Sequence, residues 1–260
     1  MIRDSSYGQV IHLPRPPASG PHSSGSAPAD QVGNPTKEPG ADPVLTDVLL
    51  DAPFDPAATG FVLSLLPRET QPLLWVRDRA SQRENGQIYT PGLRLFGISC
   101  PVLQVTVSHP RDVLWTMEEG AACSALCAVV GEIHGAPSVL DFTATKRLAI
   151  RSEASGVPLY LIRSGDPGTL SAARQRWRLA SLPSEPHPDD PQAPGQPRWS
   201  AELFRARNRA PGHWVAQYDT DTSVSHCLRL VPRSRDGQMA TDHSPAPHPA
   251  QRRHPRRAEP

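Results

Sequence analysis

The 260-residue chain carries 31 prolines and 18 glycines with only 5% aromatic residues, so much of it lies outside any packed core. A formal net charge of +1 excludes the proteins that coat polyanions through a general basic excess. The longest uncharged apolar run, Gly120 to Gly131, is 12 residues, short of the roughly 20 that span a bilayer, and the N-terminal MIRDSSYGQVIHLPRPP has no apolar signal block, so a cytoplasmic protein is expected.

Residues 1–43 hold eight prolines among Ser, Gly and Ala, without helical or strand periodicity, and are expected to be disordered. From residue 44 to 231 short apolar runs alternate with amphipathic segments, the pattern of an α/β domain with a largely parallel sheet. Strands are predicted at Val44–Leu50, Leu73–Val76, Val102–Val107, Leu126–Val130 and Pro158–Ile162, with helices between them. One helix is predicted from Pro56 to Leu66, with Pro67 ending it. A second begins near Pro110, with Asp112 in its first turn and Leu114, Met117 and Ala121 on one face. A third runs from Thr143 to Ser155 and stops at Gly156. Then come a strand in RWRLASL, a Pro-rich loop at 183–197, and a C-terminal antiparallel hairpin formed by RWSAELFRAR and GHWVAQYD. Residues 232–260 return to a polar, Pro-rich composition with a basic end and are expected to be a disordered tail.

Sites of chemistry are sparse. Cys123 and Cys127 form the one close cysteine pair, C-x3-C, and lie in an apolar run, which reads as buried thiols and not as a zinc site. No G-x-S-x-G elbow is present, and His109 and His134 have no identifiable nucleophile partner. Glu132 and Asp78 are the acids nearest the strand ends, where open α/β sheets bind ligands; they are metal candidates, or else solvated or locally paired carboxylates. The turn and helix at Asp55, Pro56, Ala57, Ala58, Thr59, Gly60, Phe61 and Val62 stand where a P-loop would cradle phosphates. An apolar pair after Gly60 supplies neither the lysine nor the metal-binding hydroxyl which that chemistry requires. On the terminal hairpin Arg205, Arg207 and Arg209 alternate, which places them on one side of a strand. Together with Trp199 and Trp214 they are candidates for a protein contact, since Trp and Arg are enriched at interfaces. The alternative is that the tryptophans seal the hairpin onto the sheet and the arginines are solvated.

Several long segments in collinear order carry a resemblance: DPAATGFVLSLL, LLWVRDRASQRENGQIYTPGLRLFGIS, DVLWTMEEG, AVVGEIHGAPSVLDFTATKRLA, SEASGVPLYLIR, PRWSAELFRAR and RAPGHWVAQYD. The span from Val44 to Asp219 resembles the RecA-like ATPase core and, more closely, the ImuA family of SulA-like accessory proteins of bacterial damage-induced mutagenesis. The resemblance implies a RecA-like fold with a degenerate P-loop. Its lysine position falls on Phe61 and the adjoining hydroxyl on Val62; the acid ending the second strand falls on Arg79, and that of the fourth on Gly131. No ATPase activity and no cofactor are then expected. The family likeness implies a cytoplasmic, nucleoid-associated, non-catalytic adaptor of SOS mutagenesis and translesion synthesis. Its expected partners are RecA and an ImuB-like polymerase-fold protein, and through the latter an error-prone C-family polymerase. The alternatives are a SulA-like inhibitor of cell division that binds FtsZ, and a weak nucleotide- or DNA-binding RecA paralogue. The RecA likeness departs at the N-terminal docking helix, replaced by residues 1–43, and at the loop after the fifth strand, which is only SGDPGTLSAARQR.

Overall fold

The computed structural model describes residues 44–190, 192–207, 210–219 and 227–232, so the expected tail 1–43, Arg209, and all of the expected tail 232–260 except Pro232, which ends a strand, lie outside the described residues. The apolar runs form a single nine-stranded sheet among them, in the order β3-β2-β4-β5-β1-β6-β7-β8-β9. The strands are β1 (Leu45–Leu50), β2 (Leu73–Asp78), β3 (Val102–Val107), β4 (Ala128–His134), β5 (Leu159–Ser164), β6 (Gln175–Leu182), β7 (Arg198–Ala206), β8 (Gly212–Tyr218) and β9 (Leu228–Pro232). Pairings from β3 through to β6 are parallel, and those from β6 to β9 antiparallel. The expected α/β class, with its largely parallel sheet and C-terminal antiparallel strands, is therefore observed.

Among the described residues five helices cover the sheet: α1 (Ala57–Leu65), α2 (Arg79–Asn85), α3 (Thr90–Leu95), α4 (Pro110–Ala121) and α5 (Phe142–Ser155). Every residue of β1, β2 and β5 is buried, which is why these strands read as apolar runs and not as alternations. On one face Val48, Trp75, Val130 and Trp177 pack with Phe61 and Val62 of α1 and Leu93 of α3. On the other, Leu45, Val129 and Leu161 pack with Leu114 and Met117 of α4 and Leu148 of α5. The predicted α4 face of Leu114, Met117 and Ala121 is buried, and α5 ends as expected at Gly156 with φ +79°. α4 lies so close to the sheet that a Cβ on Gly131 would sit 2.2 Å from the Met117 sulfur.

Candidate functional site

The carboxyl ends of the parallel strands are where a sheet of this kind binds ligands. At the mouth of α1 the first turn is Ala57, Ala58, Thr59 and Gly60, and Ala57 and Ala58 are fully buried. Phe61 and Val62 lie one turn further inside and are also fully buried, with the Phe61 ring 5.2 Å from that of Trp177. They are core residues, so their distance from the helix mouth, as well as their chemistry, separates them from a phosphate.

The mouth itself is occupied by the chain's own carboxylate. Asp55 accepts the Ala57 N–H at 2.9 Å and the Ser181 N–H at 2.8 Å, and also the Ser181 hydroxyl proton. Partial burial pushes its pKa up, but the Ser181 and Ala57 hydrogen bonds outweigh this and hold it below the ordinary carboxylate value. A fixed negative charge thus sits where a helix N-terminus would otherwise favour an incoming anion.

The next two strand ends carry paired groups. Arg77 and Glu132 are neighbours in the β2–β4 register and both are buried, at 3% exposure. Glu132 accepts from the Trp75 indole N–H and from the Asn85 amide at 3.2 Å, and Arg77 donates to the Gly86 carbonyl at 2.6 Å. Both border a cavity of about 260 Å³ that Thr59, Tyr89 and Phe96 also line. Asp78 is buried and caps α2 by accepting the Ser81 N–H at 2.7 Å, while Arg79 is exposed at the start of that helix. Glu132 and Asp78 are therefore locally paired, and no group of three His, Cys, Asp or Glu among the described residues is placed to hold a metal. Gly131 faces α4, so the acid that β4 presents towards α1 is Glu132. His134 contacts the Ser164 hydroxyl at 3.2 Å and stacks on Phe54, 6.1 Å between ring centroids.

On the α5 side of the sheet the loop after β5 is tied down by a buried ionic network. Arg163, fully buried, donates to Asp47 at 2.8 Å through Nη1 and to Asp166 at 2.9 Å through Nε. Arg176 shares the same Asp47 oxygen at 3.3 Å and donates to the Thr169 carbonyl at 2.8 Å. Asp166 in turn accepts the Gly168 and Thr169 N–H groups at 2.7 and 2.9 Å. Burial raises its pKa, but the backbone donors and Arg163 prevail and lower it. The segment SGDPGTLSAARQR contains Asp166 and Arg176 of this network but gave no hint of it, because their partners Asp47 and Arg163 come from β1 and β5.

On the hairpin the candidates separate. Trp199 is 4% exposed, and a Cβ on Gly60 would lie 2.5 Å from its ring, so it is core and not a partner contact; this corrects the expectation. Trp214 is half-buried and packs on Trp177 at 5.8 Å, which is the sealing role. Arg205 and Arg207 are exposed. Arg205 is in β7, Arg207 lies just past its end, and both line a cleft against α5.

No family model matches the chain. It is 34% identical over 198 residues to protein ImuA of Caulobacter vibrioides, in two strains of that one species, covering 71% of this chain and 77% of the relative. Among solved structures it is similar to the RadB recombinase, with a TM-score of 0.45 and 15% identity over 72% of this chain and 90% of that one. No helix among the described residues is long and apolar enough to cross a membrane.

Proposed function

The chain belongs to the ImuA family, and we propose that it acts as a non-catalytic adaptor in damage-induced mutagenesis. It would recruit protein partners instead of turning over a nucleotide. The observation that carries this is the mouth of α1, where Asp55 fills the anion position and Phe61 and Val62 are buried core. A triphosphate would meet a carboxylate there instead of a lysine. The proposed partners are RecA and an ImuB-like protein, and through the latter an error-prone C-family polymerase; association with the nucleoid would follow from these contacts.

The test is capture and turnover with the purified full chain. Immobilised protein should retain RecA or the ImuB-like protein and not FtsZ, and should hydrolyse no ATP above background with or without single-stranded DNA. Retention of FtsZ alone would replace the adaptor with a division inhibitor. DNA-stimulated hydrolysis that disappears in a folded Glu132→Gln variant would make the protein an enzyme.

A further inference from the structure

We propose that the cleft between α5 and the adjoining ends of β6 and β7 is a docking groove for an acidic peptide segment with apolar anchors, presented by a protein partner. This rests on the adaptor function and adds the surface and the chemistry it recognises. Phe142, Lys146 and Ile150 recur every four residues, so they form one stripe along α5. From Phe142 to Ile150 the stripe rises about 12 Å, two turns of helix. The opposite wall is Arg174, just before β6, with Arg205 and Arg207 at the end of β7, and the cleft encloses about 510 Å³.

Two properties of the cleft select its occupant. The first is apolar surface left in water: Phe142 is 42% and Ile150 52% exposed on a helix whose other stripe is core. The second is an excess of cationic charge, which Glu153, drawn to both Arg174 and Arg207, offsets only in part. Arg174 is held by Glu153, with Nη2 at 3.0 Å from Oε2. Lys146, Arg205 and Arg207, in contrast, form no ion pair among the described residues. Arg205 also stands directly opposite Arg176 in the β6–β7 register, a like-charge repulsion that Asp47, 3.3 Å from Arg176, relieves only on the buried side. An incoming carboxylate relieves that repulsion, while an apolar side chain seated between Phe142 and Ile150 supplies the buried anchor that makes such contacts specific.

A nucleic acid strand matches the charge but not the floor. Single-strand grooves stack successive bases on several aromatic rings, and Phe142 is the one ring lining this cleft. The aliphatic floor of Ile150 and neighbouring alanines fits peptide side chains instead.

The experiment measures anisotropy of a fluorescein-labelled amphipathic peptide of leucines and glutamates with the full-length protein. The controls are the same peptide with lysines replacing its glutamates, polyglutamate, and single-stranded oligo-thymidine, each at low and high salt. The leucine–glutamate peptide should bind best, and binding should weaken as salt rises. Combined Lys146→Glu, Arg205→Glu and Arg207→Glu should weaken it by roughly tenfold or more, while an unchanged melting temperature shows the variant is folded. Ile150→Asp, at an exposed position, should do the same with the charges intact. Equal binding of polyglutamate and the amphipathic peptide removes the apolar anchor and overturns the proposal, as does tighter binding of oligo-thymidine than of peptide. The same variants are then used in capture of RecA and the ImuB-like protein. Wild-type capture that both variants leave unchanged refutes this groove and keeps the adaptor. No wild-type capture of either protein refutes the adaptor itself.

Discussion

Replacing Arg163 by Met removes the one side chain that joins Asp47 to Asp166. Arg163 and both carboxylates are fully buried, and its three donor nitrogens serve Asp47, Asp166 and Thr169. After the substitution Asp166 keeps its Gly168 and Thr169 N–H donors, whereas Asp47 keeps only Arg176 at 3.3 Å and already has an Oδ1 with no hydrogen-bond partner. Asp47 is thus the group left under-compensated. Breaking a buried pair from one side costs about 3–5 kcal/mol, and the remaining Arg176 contact places this case near the lower end. For a domain of this size each kcal/mol lowers Tm by about 2–4 °C, so a fall of about 6–12 °C is expected in thermal melts followed by circular dichroism. Adding Asp47→Asn should recover part of that loss by removing the orphaned charge. A single Arg163→Met variant that melts within about 2 °C of wild type, less than one kcal/mol by the same scale, would show that the network is solvated and does not hold the loop.

Trp199→Ala should cost about 3–5 kcal/mol in urea unfolding, as a buried aromatic does, and Trp214→Ala, half-buried on Trp177, distinctly less; equal losses would place both on the same footing. Asp55→Ala should lower stability by about 1 kcal/mol through loss of its hydrogen bonds to the Ala57 and Ser181 N–H groups and should gain no affinity in a fluorescent-nucleotide titration, whereas acquired nucleotide binding would identify Asp55 as the barrier at a competent site. The folded pKa values of Asp55 and Asp166 are both lowered from 3.8. Such groups add stability that is present above the unfolded value and lost as pH falls through the folded one. The urea midpoint should therefore decline below about pH 4, and less steeply in Asp166→Asn; a decline of unchanged steepness would assign acid sensitivity to other groups.

What was legible in the sequence was the buried part that has only one way to be buried. Val102–Val107 was located residue for residue, β1 within one residue, and the start of α4 at Pro110, because a proline or an apolar boundary fixes each. β4 begins two residues later than the apolar run beginning at Leu126 and continues to His134. Its extension passes through Glu132, a charge that reads as a strand end but is satisfied inside by Trp75 and Asn85. The same masking shortened β2, whose Arg77 and Asp78 are buried through hydrogen bonds that no local pattern reveals. β9 was missed because five residues between polar stretches carry little periodic signal; its place is given by pairing with β8. At the site, Phe61 and Val62 were readable as an apolar pair, but the carboxylate that fills the helix mouth depends on Ser181, 126 residues away in sequence.

The arginines of the hairpin show how a correct exposure can follow from an incomplete geometry. Strict alternation along β7 would continue the row Trp199, Ala201, Leu203, which is buried against α1, straight into Arg205. The β6–β7 register instead shifts between Arg176 and Trp177: Trp177 opposes Leu203 and Arg176 opposes Arg205. Phe204 is the extra residue of a β-bulge, and its ring packs under the Arg176 and Arg178 guanidinium groups, each 5.0 Å from the centroid. Deleting Phe204 should therefore be tolerated, since it leaves a regular ladder with Arg205 still opposite Arg176. The expected loss is that of two cation–π contacts, about 1–2 kcal/mol together. Deleting Glu202, inside the regular ladder, slips the register by one residue, exchanges the core and solvent faces of the strand, and should abolish folding. The comparison is read from urea melts of the two deletions, with the acidic peptide as a check that Arg205 still lines the cleft. If loss of Phe204 proved as damaging as loss of Glu202, Phe204 would be an integral rung of the ladder, and another cause would be needed for the turn of Arg205 out of the core row.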